Sequence, residues 1–355
     1  MQPPALEDLL CPDATAALRA ISDTSERILG TAGNIADEVL DQHRLDKNRA
    51  CLAVVGSMGR HEAVEASDLD LLPIWCDGEP SDFHKFDTAM EDLRTRLRKE
   101  LGIDVSTSRD LMKSAKLSTL TEVESIGGDA DDRRKLTQRV LLLTESSQAG
   151  GHLSLDQVRR AILAAYVGDG TTTRTASRHP LAVCNDIARY YRTVCMDYKS
   201  RAESKPENWC LRLLKLRGAR KFWYFSTLLS VSSKIVDGGG TPNEEQFDAL
   251  AQIFSTPPIR RLYGALADAD DARASAIDVL NAYLTYLHKL SSPDVRSALN
   301  SVEFESRMEL ALPGGGVNPF PDIYNRSKEL HRNLRIALMT VPEPIREKAI
   351  DWFLL

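Results

Sequence analysis

Two aspartates separated by one leucine, Asp68 and Asp70, stand at the start of an apolar run that reaches Trp75. Residues two apart in a strand point to the same side, so both carboxylates are predicted to lie together while Leu69 and Leu71 face the core. Such like charges repel each other, and a hard cation such as Mg²⁺ suits their oxygens. The pair therefore favours phosphoryl or nucleotidyl transfer, in which one or two Mg²⁺ ions bridge a triphosphate.

A glycine turn precedes this pair. Gly56 and Ser57 follow the compact apolar run 51–55, and Arg60 comes three residues later. Glycine lets backbone N–H groups approach phosphate oxygens closely, and a serine hydroxyl adds another donor. Gly56 and Ser57 are thus predicted to bind the phosphates of a nucleotide, with Arg60 as a further candidate contact.

A third carboxylate is expected near the pair, because two-metal sites usually need one more ligand. Asp104 is the candidate, between Ile103 and Val105 in a predicted strand over 103–106. If that strand pairs beside the one carrying Asp70, Asp104 becomes a metal ligand and a candidate general base. A solvent-facing aspartate is the alternative for Asp104, and a surface turn is the alternative for an Asp-x-Asp pair standing alone.

The surrounding elements predict an α+β fold. A long amphipathic helix over 13–43 precedes strands at 51–55 and 69–75, a helix over 81–100 with Ser81 as its N-cap follows, and no strand is expected after Thr107. The expected architecture is a small mixed-sheet catalytic domain with an N-terminal helix, followed by an all-α domain. Predicted segments are 1–48 (helical), 49–115 (catalytic) and 116–355 (helical).

Composition narrows the class of protein. The chain has 355 residues, 27% charged and 43% apolar, with a net charge of -6, as in ordinary globular proteins. This acidity does not favour nucleic acid as the partner. Six cysteines without paired spacing indicate reduced thiols, and the absence of a signal peptide or a spanning apolar run predicts a cytoplasmic protein that does not bind a membrane.

The helical part offers a pair of cations. Arg212 and Lys215 are three residues apart and therefore share one helix face. We expect that face to close over the active site and bind the triphosphate. The alternative is a solvated surface on which these residues form ion pairs or extend along apolar surface.

The motif resembles the nucleotidyltransferase superfamily that includes polymerase beta. That signature has an apolar residue, Gly-Gly or Gly-Ser, a spacer, and then Asp-apolar-Asp-apolar. The string "GSMGRHEAVEASDLDLLPI" is closer still to the N-terminal domain of protein-PII uridylyltransferase and its relatives. The matching residues are Gly56, Gly59, Arg60, Glu62, Ser67, Asp68 and Asp70. With weaker similarity downstream, the resemblance covers residues 50–230.

The resemblance implies transfer of a nucleoside monophosphate from a nucleoside triphosphate to an acceptor hydroxyl, with Mg²⁺ on Asp68 and Asp70 and with Ser67 among the nucleotide-binding residues. Uridylyl transfer to a protein tyrosine is the implied reaction, and a protein the implied acceptor. The alternatives are transfer to RNA or a small molecule, or a catalytically silent module that only binds nucleotide. None of the seven histidines precedes an aspartate, so the phosphohydrolase activity of the larger uridylyltransferases is not expected.

Overall fold

The computed structural model describes residues 4–76, 78–105, 112–123, 126, 131–167, 181–204, 209–234, 244–267, 269–304, 306–312 and 315–353. Within these ranges the strands are β1 (Ala50–Val55), β2 (Asp70–Trp75), β3 (Ala115–Lys116) and β4 (Ser146–Gly150). The helices are α1 (Pro12–Gln42), α2 (Gly56–Gly59), α3 (Pro80–Leu101), α4 (Leu117–Leu120), α5 (Arg133–Thr144), α6 (Leu155–Val167), α7 (Leu181–Ser204), α8 (Trp209–Lys215), α9 (Lys221–Lys234), α10 (Glu244–Ser255), α11 (Pro258–Leu266), α12 (Asp270–Ser291), α13 (Pro293–Asn300), α14 (Phe320–Thr340) and α15 (Glu343–Phe353).

The four strands form one mixed sheet in the order β3-β2-β1-β4. β1 is antiparallel to both β2 and β4, and β2 is parallel to β3. The register pairs Val54 with Leu71 and Val55 with Asp70. This helix-rich arrangement around a small mixed sheet confirms the predicted α+β class.

Both faces of the sheet are covered, and every residue of β1 is buried. Leu52 and Val54 face a core that α1 and α3 complete with residues such as Ile35 and Met90. The opposite face of β1 packs against α5 and α6. Strands buried on two faces read as continuous apolar runs, which is why 51–55 was recognisable from the sequence.

The two helices beside the sheet follow their predicted spans closely. α1 runs through Gly30 without a break. α3 begins at Pro80, with Glu79 rather than Ser81 in the N-cap position, because proline is favoured in the first helical turn. It ends at Gly102, whose φ of 66° is the left-handed conformation typical of a helix C-terminus.

Several predicted boundaries are wrong. β3 and β4 both follow Thr107, and the described part of the predicted strand 103–106 makes one isolated parallel bridge, from Val105 to Leu69. The predicted helix 118–146 is divided into α4 and α5, and the predicted helix 325–353 is divided at Pro342 into α14 and α15. Proline restricts the residue before it and lacks an N–H, so it favours such a division.

The chain folds into two compact units. The sheet unit contains Ile21–Asp186 and Val236–Pro257, and the helical unit contains Met1–Ala20, Ile187–Ile235 and Pro258–Leu355. These bounds differ from the segments 1–48, 49–115 and 116–355. The difference arises because α1 and α7 are each divided between the units, and because β4 joins the sheet from beyond residue 115.

In the helical unit, a π-helical turn over Leu216–Arg220 joins α8 to α9. An added Cβ on Gly218 would enter the ring of Tyr286, so only glycine fits there. The Tyr286 hydroxyl donates to the carbonyl oxygen of Leu214 at 2.6 Å. Phe222 and Trp223 are fully buried, as their helical spacing predicts for core residues. Among the described helices, none is long and apolar enough to cross a bilayer.

Candidate active site

The glycine turn lies at the carboxyl end of β1, directly beside the start of β2. Val55 pairs with Asp70, and the chain then bends at Gly56, whose φ of 76° lies in the left-handed region. A Cβ added to Gly56 would stand 3.4 Å from the Oδ2 oxygen of Asp70. The structure therefore brings the turn and one carboxylate of the Asp-x-Asp pair into direct proximity.

Gly59 ends the same turn, for a different physical reason. Its φ is not left-handed, but an added Cβ would come within 3.0 Å of the carbonyl oxygens of both Glu145 and Val54. No real Cβ tolerates such distances. The Gly-x-x-Gly spacing thus combines one position that needs a left-handed backbone with one that needs empty space.

Two serines lie next to the turn. The hydroxyl oxygens of Ser57 and Ser67 are 3.4 Å apart, and both side chains are partly exposed. Ser67 Oγ also accepts a hydrogen bond from the backbone N–H of Val64 at 3.0 Å, which closes the loop before the aspartates. Hydroxyl donors from both ends of this loop therefore border the same exposed surface.

Asp68 and Asp70 flank Leu69, which is fully buried. Asp68 is exposed and Asp70 is half-buried, with its Oδ1 oxygen shielded from solvent. Alternation along an extended chain places both carboxylates on the face opposite Leu69. Asp70 therefore lies next to the glycine turn, and strand alternation predicts that the Asp68 carboxylate lies on the same side.

Asp104 lies on the neighbouring segment. Its carbonyl oxygen accepts a hydrogen bond from the backbone N–H of Leu69 at 2.8 Å, and Val105 forms a parallel bridge with Leu69. This register places Asp104 next to Asp68, and its side chain is exposed. Across the described ranges, however, no three His, Cys, Asp or Glu residues are grouped to hold a metal ion. The role of Asp104 as a third metal ligand therefore stays a prediction.

Residues 11–119 match the family model described as "Putative nucleotidyltransferase DUF294". This part of the chain is nucleotidyltransferase-like. The nucleotidyltransferase-like region contains α1, β1, the glycine turn, β2 and α3, and with them the two serines and the three aspartates described above. No curated protein matches the chain significantly.

The side chains of the nucleotidyltransferase-like region fit Mg²⁺ through two carboxylates. Proteins bind Mg²⁺ with one or two carboxylates, and the substrate's phosphates and water complete the octahedron. Asp68 and Asp70 supply that number, and the half-buried position of Asp70 limits how far its carboxylate can move. The metal role of Asp104 stays a prediction.

Arg60 is engaged within the protein rather than directed at solvent. Its side chain is 4% exposed, its Nε lies 2.7 Å from Glu62, and its Nη1 is paired with Glu145. Glu62 and Glu145 are equally buried. Arg60 therefore ties the glycine turn to the junction of α5 and β4, a geometry that favours a positioning role over the predicted phosphate contact.

Three further residues hold the turn, and no pattern in the sequence indicated this role for them. His61 has a left-handed φ of 57°, and its Nε2 lies 2.9 Å from the hydroxyl of Ser147 in β4. That hydroxyl also lies 2.9 Å from the Gly59 carbonyl oxygen. Because Ser147 has one hydroxyl proton to donate there, the His61 ring donates from Nε2. The buried Ser25 of α1 accepts from the backbone N–H of Ala63 at 3.1 Å.

Burial lowers the pKa of His61, and the negative charge of Glu26 partly opposes this shift. Burial thus favours the neutral imidazole at this position. Arg212 and Lys215 lie on α8, in the helical unit, and both are half-buried. Their contact with the triphosphate stays a prediction.

Proposed function

We propose that this protein is a Mg²⁺-dependent nucleotidyltransferase that moves a nucleoside monophosphate from a nucleoside triphosphate to an acceptor hydroxyl. The observation that carries the proposal is the position of the Asp70 carboxylate, whose Oδ2 lies against the left-handed turn at Gly56. A left-handed glycine turn next to a carboxylate is suited to a phosphate and its cation. The family match over residues 11–119 supports the same reaction class.

In the proposed reaction, the oxygen of the acceptor hydroxyl attacks the α-phosphorus of the nucleotide. A new P–O bond forms while the bond to the β-phosphate oxygen breaks, and pyrophosphate leaves with that electron pair. Asp68 and Asp70 would hold Mg²⁺, which would supply positive charge to neutralise the phosphate oxygens. Gly56, Ser57 and Ser67 bind and orient the phosphates.

The proton of the acceptor hydroxyl must pass to a base. Asp104 is the proposed acceptor of that proton, because it lies next to Asp68 in register and its carboxylate is exposed to solvent. Arg60 acts indirectly, because its ion pairs with Glu62 and Glu145 hold the turn in place. Arg212 and Lys215 are proposed to bind the triphosphate from α8.

The proposed acceptor is a protein tyrosine and the proposed nucleotide is UTP. The support is the similarity of the Gly-x-x-Gly-Arg-x-Glu and Ser-Asp-x-Asp strings to protein-PII uridylyltransferase. Tyrosine and serine hydroxyls, RNA ends and sugar hydroxyls share the same attacking atom. The acceptor therefore has to be identified by where the label goes.

The deciding experiment supplies the purified chain with each of four α-³²P nucleoside triphosphates, Mg²⁺ and cell extract. Wild type is compared with Asp68→Asn/Asp70→Asn, and Asp87→Asn on the exposed side of α3 is the matched control. We expect label to enter one macromolecule or metabolite with wild type and Asp87→Asn, and to be lost by at least a hundredfold in the double variant. Phosphodiesterase release of the monophosphate identifies the bond.

Calorimetry with unlabelled nucleotide and Mg²⁺ separates the rival readings. Nucleotide binding without any transfer identifies a silent binding module, and label on RNA or on a small molecule replaces the protein acceptor. Equal labelling by wild type and by the double variant removes the nucleotidyltransferase assignment altogether.

A further inference from the structure

A set of cations meets on the surface of the helical unit. Arg217 lies in the π-helical turn, Lys221 begins α9, and Lys328, His331 and Arg335 lie on α14. We call these five residues the α9/α14 basic cluster. The three residues of α14 are spaced i, i+3 and i+7, which places them along one face of the helix.

A contact between two side chains joins α9 to α14. The Nζ of Lys221 lies 3.4 Å from the Nδ1 of His331. The His331 side chain is exposed, whereas Lys221 is half-buried. Two groups that both carry positive charge when protonated are therefore within reach of one bound anion.

A second contact uses an aromatic ring. The guanidinium of Arg217 lies 4.5 Å from the ring centroid of Tyr324, and its Nε donates to the hydroxyl of Ser327 at 3.0 Å. The Nζ of Lys328 lies 4.9 Å from the same ring. Tyr324 thus fixes two cations on one side of α14 without neutralising either of them.

The charges that act within this cluster are mostly of one sign. Partial desolvation of the ring lowers the pKa of His331, and the charges of Lys221, Arg217 and Arg335 lower it further. Burial and Arg217 also lower the pKa of Lys221, while the thiol of Cys195 acts in the opposite direction. Holding like charges together in this way costs folding free energy. Because the chain carries an excess of carboxylates, with a net charge of -6, its composition does not impose that cost.

The backbone next to the cluster is also unusual. The π-helical turn Leu216–Arg220 is wider than an α-helical turn, and such turns are rare and occur frequently at functional sites. It places Arg217 against Ser327 while Lys221 reaches His331. The close approach of Gly218 to the Tyr286 ring holds the turn in this geometry.

We propose that the α9/α14 basic cluster binds the phosphate groups of a small anionic ligand. Arg217 and Lys221 are the main donors, His331 adds a third, and the exposed Lys328 and Arg335 extend the site for a second phosphate group. This site consists only of helical-unit residues. It adds to the proposed function and does not depend on it.

The test is a titration of the full chain with inorganic phosphate, pyrophosphate and Mg²⁺-free ATP, followed by calorimetry and by NMR of the histidine rings. We expect binding with a rise in the pKa of His331, because the bound anion offsets the repulsion from its neighbours. Lys221→Met is expected to weaken binding at least tenfold and to leave Tm unchanged or higher. Arg335→Gln, at an exposed position, gives a second variant that preserves the fold.

Arg326→Gln is the matched control, since Arg326 lies on the opposite face of α14 and its charge is paired with Asp322 at 3.4 Å. It is expected to change binding by less than twofold. The three probes distinguish a free phosphate site from an oligophosphate or nucleotide site. Asp68→Asn/Asp70→Asn is expected to bind phosphate at His331 normally, so failure of the transfer reaction and failure of this site are distinguishable.

Three outcomes would overturn the proposal. The first is the absence of binding and of any His331 shift with all three probes. The second is equal binding by wild type and Lys221→Met. The third is an RNA oligonucleotide that shifts His331 where the small phosphates do not, which would assign the cluster to nucleic acid instead.

Discussion

A methyl group added to Gly56 would stand 3.4 Å from the Oδ2 oxygen of Asp70. That distance is an ordinary contact, so the substitution can be accommodated sterically, but the methyl group would cover the carboxylate on the side of the turn. The left-handed φ of Gly56 adds about 1–2 kcal/mol of backbone cost for any other residue. Gly56 is thus needed both by the backbone and by the site.

Alanine substitution of the two glycines of the turn is expected to affect stability and activity differently. Gly56→Ala should fold with a loss of about 1–2 kcal/mol and lose nucleotidyl transfer almost completely. Gly59→Ala should destabilise the fold by at least ~1–3 kcal/mol, because its Cβ would overlap two backbone carbonyl oxygens. Urea unfolding and the transfer assay measure the two effects separately.

Gly30→Ala is the control for these glycines. Gly30 is exposed inside α1, with no atom within 4 Å of an added Cβ, so alanine should stabilise the protein by about 0.5–1 kcal/mol. If Gly59→Ala were as stable as Gly30→Ala, the close approach between the turn and the α5–β4 junction would be wrong.

The Arg60–Glu145 ion pair should be worth far more than a surface pair. Removal of Arg60 leaves the buried carboxylates of Glu62 and Glu145 without this cation, so Arg60→Met is expected to cost about 3–5 kcal/mol. Arg27→Met, which breaks an exposed pair with Glu65, should cost no more than about 1 kcal/mol. Hydrogen exchange of β1 and the glycine turn reports the local loss.

The double variant Arg60→Met/Glu145→Gln provides the internal check. It removes Arg60 together with one of the two carboxylates that Arg60 pairs with, so its cost should be smaller than the summed costs of Arg60→Met and Glu145→Gln. Strict additivity would show that Arg60 and Glu145 do not depend on each other, and the positioning role of Arg60 would then have no support.

The long-range partner of Arg60 was not visible in the sequence, and the phosphate contact of Arg60 stays a prediction. An arginine next to a phosphate turn has the right chemistry, and nothing local reveals that Glu145 lies 85 residues away in the chain and beside it in space. The motif itself was readable because its spacing is local. The alternation that puts Leu69 in the core and leaves Asp68 exposed follows from strand geometry alone.

β4 shows the same limit for the fold. Its sequence, SSQAG, has no apolar alternation, and no strand was expected there. The strand is made of small and polar residues because α1 packs closely against it: a Cβ on Gly33 would approach the Ala149 carbonyl oxygen, and one on Gly150 would approach Ala36. This segment forms a strand because of its packing and pairing with neighbouring elements. The periodicity of one segment does not reveal such long-range contacts.

Asp104 has a testable role in catalysis. If it accepts the proton of the acceptor hydroxyl, Asp104→Asn should lower kcat by about 10²–10⁴-fold while the KM for the nucleotide changes little. Asp87→Asn is the exposed control. Steady-state kinetics across pH checks the assignment: the acidic limb of the kcat profile should disappear in Asp104→Asn. A rise in the KM for the nucleotide with kcat unchanged would instead assign Asp104 to binding.

His61 should make the stability of the sheet unit depend on pH. Its pKa in the folded protein is lowered from 6.5 by burial, so the unfolded chain binds the proton more readily. The stabilising contribution is therefore fully present above pH 6.5 and is lost as the pH falls from there through the lowered pKa of the folded state. His331 shifts in the same direction, so a variant is needed to isolate the contribution of His61.

His61→Asn isolates it, because asparagine tolerates the left-handed φ of 57° and does not titrate. Hydrogen exchange of the glycine turn, measured between pH 8 and pH 5, should show a smaller loss of protection in His61→Asn than in wild type, and His84→Asn on the exposed side of α3 should behave as wild type. At pH 8 the variant should already be less protected, since it lacks the hydrogen bond to Ser147. Identical pH profiles for wild type and His61→Asn would show that burial does not disfavour the imidazolium at this position.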